Sequence, residues 1–371
     1  MEAKKKETTK KDLFKKTLWL LLIPLGILLP RLAAYSPWTV ERLYSRGAYP
    51  VISRILSSIS GIFGFSVAEV FVYFVIIGVL FYLIRGFFML IKNKSSPLRF
   101  VSMMMSLCIF AASMLNLFYL LWGFNYSRPT LYQLMELEVK ARPDTELQQV
   151  CFALAERAAE LRKKVTEDEN GVFYFDDYRE YFDKIPAAYN NLGKDIPLFS
   201  APAARAKGVI ASEGMSWAGI AGIYMPYTAE PNVNIHQPPL LMLSSAAHET
   251  AHYLGFARED EANFIAYLAC TYSDDPAIEY SGVMLALINC ANKLYSSDAN
   301  KFAPLQERYS DAMIRDLIAY NAYWDAYEGE VQEAAESLND NYLKFNQQQD
   351  GVKSYGMMVD LLLAYYANSQ A

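Results

Sequence analysis

His248-Glu249-Thr250-Ala251-His252 is the stretch on which the reading of this chain turns. Only three histidines occur in 371 residues, and two of them fall four positions apart. On a helix that spacing puts both imidazoles on one face, where they make a pair of metal ligands. Glu249 adjoins the first histidine and can reach a metal-bound water without ligating the metal, which is the position of a general base.

The residues that follow extend the site. Gly255 suits the position just past a helix end, where a left-handed backbone costs glycine nothing. Glu259, Asp260 and Glu261 then suit the first turn of a second helix, whose N-terminus favours negative charge. A chain turned back in this way delivers a carboxylate to a metal already held by two histidines. Two imidazoles and a carboxylate leave one coordination position open, as catalytic zinc requires. Spacing alone leaves Glu259 and Glu261 as alternatives for that carboxylate, with Asp260 pointing elsewhere on the helix. Glu259-x-x-Ala262-Asn263 resembles the pattern that follows HExxH in gluzincin-type peptidases. The resemblance implies Glu259 as the third zinc ligand and Asn263 as a residue supporting the ligands. Arg258 stands where metzincins carry a third histidine, which argues against that class.

Composition places the motif in a membrane protein. Hydrophobic residues make up 53% of the chain and charged ones 20%, and the apolar excess lies at the N-terminal end. Three stretches, at about 17–35, 67–91 and 100–124, are long enough to cross a ~30 Å hydrocarbon core as helices. Residues 1–124 are therefore expected to form a membrane region and 125–371 an outer domain. Lys4, Lys5, Lys6, Lys10, Lys11, Lys15 and Lys16 precede the first span, and Lys92, Lys94 and Arg99 separate the second from the third. Both segments read as cytoplasmic, so the N-terminus lies inside and the C-terminal domain outside the cytoplasmic membrane. The four cysteines show no CxxC pairing and read as free thiols rather than a disulfide framework. A net charge of −6, with the basic residues gathered near the membrane, leaves the outer domain acidic and excludes nucleic acid as the expected partner.

Beyond the spans, apolar periodicity predicts helices over Thr145–Val165, Asp176–Tyr189 and Phe302–Tyr327. Two more are predicted within Val331–Tyr366, broken at Gln349-Asp350-Gly351. Between Gly208 and Ile235 the pattern shifts to glycine-punctuated, β-branched and aromatic residues, which predicts short strands ahead of the motif helix. The resemblance to HExxH zinc peptidases implies an edge strand there that pairs with an extended substrate, and a structural hairpin covering the core is the alternative. His236, before Gln237-Pro238-Pro239, is a lone loop histidine. Tyr280, in Tyr280-Ser281-Gly282, is a candidate oxyanion donor.

The whole chain is similar to a family of bacterial membrane proteins known only as a domain of unknown function, which join three N-terminal spans to an HExxH outer domain. The resemblance is carried by Trp122–Arg128, Gly222-Ile223-Tyr224, Asn232-Val233-Asn234, His248–Phe264, Tyr280-Ser281-Gly282 and Asp350–Tyr355. Ala229-Glu230-Pro231 departs from the Gly-Glu-Ala turn it leads one to expect. The fold it implies is a helical membrane anchor followed by a mainly α, α+β zincin-like domain with a small sheet before the HExxH helix. The expected function is a zinc-dependent metallopeptidase: zinc on His248, His252 and Glu259, Glu249 as base, and an extracytoplasmic protein or peptide as substrate. A non-catalytic zinc-binding sensor or assembly protein of the cell envelope is the alternative, and retention of Glu249 argues against it.

Overall fold

The computed structural model describes residues 9–91, 97–346, 348, 351 and 357–369. Lys4, Lys5, Lys6, Lys92, Lys94, the 349–350 break and most of the Asp350–Tyr355 motif lie outside the described residues. The chain is mostly helical, with three apolar helices towards the N-terminus and one small sheet. It divides into two compact units, residues 1–49 with 67–128, and residues 50–66 with 129–371.

The first unit holds the three segments long and apolar enough to cross a membrane, Lys10–Ala33, Val67–Met89 and Pro97–Leu121. The first is two helices, α1 (Lys10–Trp19) and α2 (Leu22–Ala33). Pro24 has no N–H to offer the Leu20 carbonyl, which takes the Ile23 amide instead, and the α-helical hydrogen bonding is interrupted there. The chain then runs through a helical turn and a wide π-helical stretch into α3 (Tyr49–Ser60), most of which belongs to the second unit. The second and third segments are α4 (Val67–Ile91) and α5 (Pro97–Leu121). Asn116 on α5 donates to the Leu22 carbonyl at 2.7 Å, and Gly26 leaves the space that its amide fills. Buried Glu41 takes Arg46 and Arg128, each within 2.8 Å, so its charge is compensated.

In the second unit, α6 (Asp144–Arg162) is followed by α7 (Tyr178–Phe182) and α8 (Ile185–Asp195). Then come β1 (Lys207–Val209), α9 (Ser212–Trp217), β2 (Gly222–Met225) and β3 (Glu230–Asn234). The remaining helices are α10 (Pro239–Tyr253), α11 (Glu259–Thr271), α12 (Pro276–Ser297), α13 (Ala299–Gln306), α14 (Asp311–Asp325), α15 (Glu330–Phe345) and α16 (Met358–Ser369). Where one helix was expected over Phe302–Tyr327 there are two, because the Ser310 hydroxyl accepts from the Met313 amide and caps a new start. Asp176–Tyr189 likewise divides, and the Ser212–Trp217 part of the expected strand region is helical.

Helices α10, α11 and α12 pack on one another, with α6 against α12, and bury the main apolar core of this unit. The sheet runs β1-β3-β2, with β1 parallel and β2 antiparallel to β3, so β2 occupies an edge and lies on α10. Residues 50–66 are held to this unit by polar contacts. Lys207, paired with Glu230, donates to the carbonyls of Ser60 at 2.7 Å and Phe65 at 3.0 Å. Ser66 donates to Asn232 at 2.6 Å, and the hydroxyls of Ser57 and Tyr253 lie 3.1 Å apart. Ala229 before β3 takes a positive φ of 50°, a conformation easy for the glycine expected at that turn and costly for alanine.

Candidate metal centre

Helix α10 begins with proline at its first position, where the missing N–H has no partner to lose, and every residue from Ala246 to Tyr253 is buried. His248 and His252 lie one turn apart on it, ring centroids 4.6 Å apart and nearly perpendicular. The helix stops at Gly255, whose φ of 88° lets its amide reach the His252 carbonyl and the Phe256 amide reach the Ala251 carbonyl. This turn sends the chain back into α11 and leaves the Phe256 carbonyl 2.7 Å from His252 Nδ1. A carbonyl only accepts, so Nδ1 carries the proton and the Nε2 lone pair faces inward. His248 Nδ1 is matched in the same way, 2.8 Å from Asn263 Oδ1.

Glu259, the first residue of α11, closes the group. Its Oε2 lies 3.1 Å from His248 Nε2 and 3.4 Å from His252 Nε2, and the three donor atoms fall within 4.8 Å of one another. Nitrogen and oxygen donors around a tetrahedral zinc, at about 2.0–2.2 Å, stand about 3.3–3.6 Å apart. The donor types, the Nδ1-protonated tautomers and the two separations from Glu259 are therefore compatible with such an ion. A metal binding here would displace the proton that His252 shares with Glu259. Burial alone would lower His252, but the Glu259 carboxylate carries it up to about 9. Burial would raise Glu259, and the two imidazoles instead hold it well below the ordinary carboxylate range.

Glu249 is turned toward the sheet. Its carboxylate accepts the backbone N–H of Tyr224 in β2, and its side chain is pressed against the Cα of Gly222. Oε2 of Glu249 is buried without a hydrogen-bond partner among the described residues. Burial pushes this carboxyl up to about 7, against the opposing pull of the two histidines. A buried group one step from the neutral form near pH 7 is suited to take and return a proton.

The other residues singled out in the sequence are placed elsewhere. Glu261 Oε1 accepts from the Leu131 amide at 2.7 Å and from Arg258 at 3.1 Å, so this carboxylate anchors the segment before α6. Burial and the neighbouring Glu261 push Asp260 up to about 7. Tyr280 is fully buried on α12, and its hydroxyl donates to Asp316 at 2.6 Å, beside Arg162. Burial and that carboxylate hold its hydroxyl far above the usual range, and its commitment to Asp316 leaves the oxyanion assignment without geometric support. His236 Nδ1 meets the Tyr323 hydroxyl at 2.8 Å in an aromatic group with Tyr327. Sequence reasoning missed the Tyr224 amide and Gly222 as neighbours of Glu249. The Gly222-Ile223-Tyr224 block was visible, but its pairing with α10 is a tertiary fact.

Three helices apolar and long enough to cross a membrane and a buried His-His-Glu group are the features by which this chain is classed. The family model described as protein of unknown function (DUF3810) matches residues 44–363, and the chain belongs to that family. No curated protein and no solved structure matches it.

Proposed function

We propose that the chain is a membrane-anchored zinc metallopeptidase of zincin-like design. The observation that carries this reading is the convergence of the donor atoms of His248, His252 and Glu259 within 4.8 Å of one another, beside a buried Glu249 with one oxygen unpartnered among the described residues. Zinc, when bound, supplies Lewis acidity that polarises a carbonyl and makes water nucleophilic near neutral pH. Glu249 takes the proton of the attacking water and returns it to the leaving amine. Strand β2 supports the substrate class: it lies at an edge of the sheet alongside Glu249, a position from which an extended peptide can be aligned with the base. Basic residues at the ends of the first two spans support an extracytoplasmic second unit, so reporter fusions after Asn125 should behave as exported, and a cytoplasmic signal there would reverse the topology.

The deciding variant is Glu249→Gln in the full chain. It preserves side-chain size but removes the base, so zinc content should stay near one per chain. Peptide hydrolysis should fall by about 10²–10⁴-fold. Undiminished hydrolysis would overturn the peptidase reading. Metal-loaded parent protein inactive on every peptide offered, with Glu249→Gln fully complementing a deletion strain, would replace it by a non-catalytic zinc role.

A further inference from the structure

Helix α3 is built inside out. Val51, Ile55 and Ile59 follow one another at four-residue spacing and are 59%, 57% and 57% exposed, while Ser53 and Ser60 on the opposite side are each 4% exposed. A helix on a water-washed surface shows the reverse arrangement. The serine side is occupied: Ser57 meets the Tyr253 hydroxyl, and the Ser60 carbonyl takes the Lys207 ammonium. These polar contacts fix which face turns outward. Ile62, Phe63 and Phe65 continue the exposed apolar surface past the helix end, and Arg54 lies exposed along its border.

We propose that α3 and the following 61–65 turn form a membrane-seating surface, inserted at the headgroup–acyl boundary of the leaflet on the side of the second unit. Chain continuity selects lipid over a protein partner. Val67 opens the 25-residue apolar helix α4, and Phe65 lies two residues before it, no more than about 7 Å away along the chain. The end of the stripe is thereby tied to a membrane crossing. Arg54 complements lipid phosphates, as cations bordering interfacial helices do. The surface reaches the metal helix through the Ser57–Tyr253 contact, since Tyr253 directly follows His252. Resting on the peptidase reading, this places the preferred substrates among peptide segments lying at the bilayer surface.

The test uses the full chain in phosphatidylcholine vesicles with Cys108→Ala, which removes the one exposed thiol and leaves three buried ones. Nitroxide labels on Ile55→Cys and Ile59→Cys should collide with oxygen and lose collisions with a water-soluble nickel chelate. A label on Lys163→Cys, an exposed position on the same unit, should show the opposite. Stripe labels as open to the chelate as the Lys163→Cys label would overturn the proposal. Labels shielded from both reagents would overturn it too, by showing a protein cover. None of these outcomes depends on hydrolysis, so the seating surface and the peptidase reading fail separately. For the substrate part, Ile55→Asp with Ile59→Asp should slow cleavage of a vesicle-tethered peptide and spare the same peptide in solution. Equal effects on the two forms would remove that part.

Discussion

Substituting Gly222 by alanine isolates the placement of the base from everything else in the site. A methyl group built there would lie 2.6 Å from Glu249 Oε1, 2.7 Å from Cγ and 2.9 Å from Cδ. Comfortable contact begins at about 3.5 Å, so the carboxylate must retreat by roughly 0.6–0.9 Å. The backbone of Gly222 does not require glycine's left-handed region, and the clash is with a side chain that can swing away. Folding should therefore survive, and alanine in a strand can regain about 0.5–1 kcal/mol of the entropy that glycine loses. A reacting group misplaced by about 1 Å costs about 10²-fold in rate. The expected result is a kcat about 10²-fold lower with KM, zinc content and thermal midpoint close to those of the parent. Turnover of a quenched fluorescent peptide, metal analysis and a melting curve on one preparation supply all four readings. Parental kcat in a folded, metal-loaded variant would refute the packing of Glu249 against β2. Loss of zinc would refute the separation between ligands and base.

Two further outcomes follow from how neighbouring residues are engaged. Glu259→Ala should lower zinc content strongly. Glu261→Ala should keep the metal but lose stability by about 1–3 kcal/mol, because the Leu131 amide loses its buried acceptor, and the reverse order by metal analysis would exchange the two roles. Tyr280→Phe should cost about 1.5–3 kcal/mol in unfolding by removing a hydrogen bond to the Asp316 carboxylate, with kcat unchanged. A large fall in kcat at constant stability would restore Tyr280 as an oxyanion donor.

The parts of the site legible in the sequence are those set by helical geometry over short separations. A four-residue step between histidines, glycine at the helix exit and acidic residues in the next first turn specify a local path, and the structure follows it from His248 to Asn263. Spacing left Glu259 and Glu261 as alternatives because two residues along a helix is a rotation, and the engagement of Glu261 by the Leu131 amide, more than a hundred residues earlier, leaves no mark in the local sequence. The surroundings of Tyr280 were hidden for the same reason. Asp316 and Arg162, which engage it, come from α14 and α6 and leave no local mark. In α3 the amphipathic spacing was present, yet spacing alone does not say which face meets solvent. That depended on Lys207 and Tyr253, far along the chain.

The turn at Gly255 has a consequence for how the molecule would fail. All three donors lie between residues 248 and 259, so closing the loop between them costs little chain entropy, and two helices with their connecting turn suffice to gather them. Glu249, by contrast, is aligned by a strand that itself depends on β3 and on the Lys207–Glu230 pair. Partial unfolding that releases β2 would leave the turn that gathers His248, His252 and Glu259 intact. Bound ion would further bias the ensemble toward that retained segment by mass action. On heating or in mild denaturant, reactivity should disappear before the metal does, and a preparation with full occupancy can be largely inert.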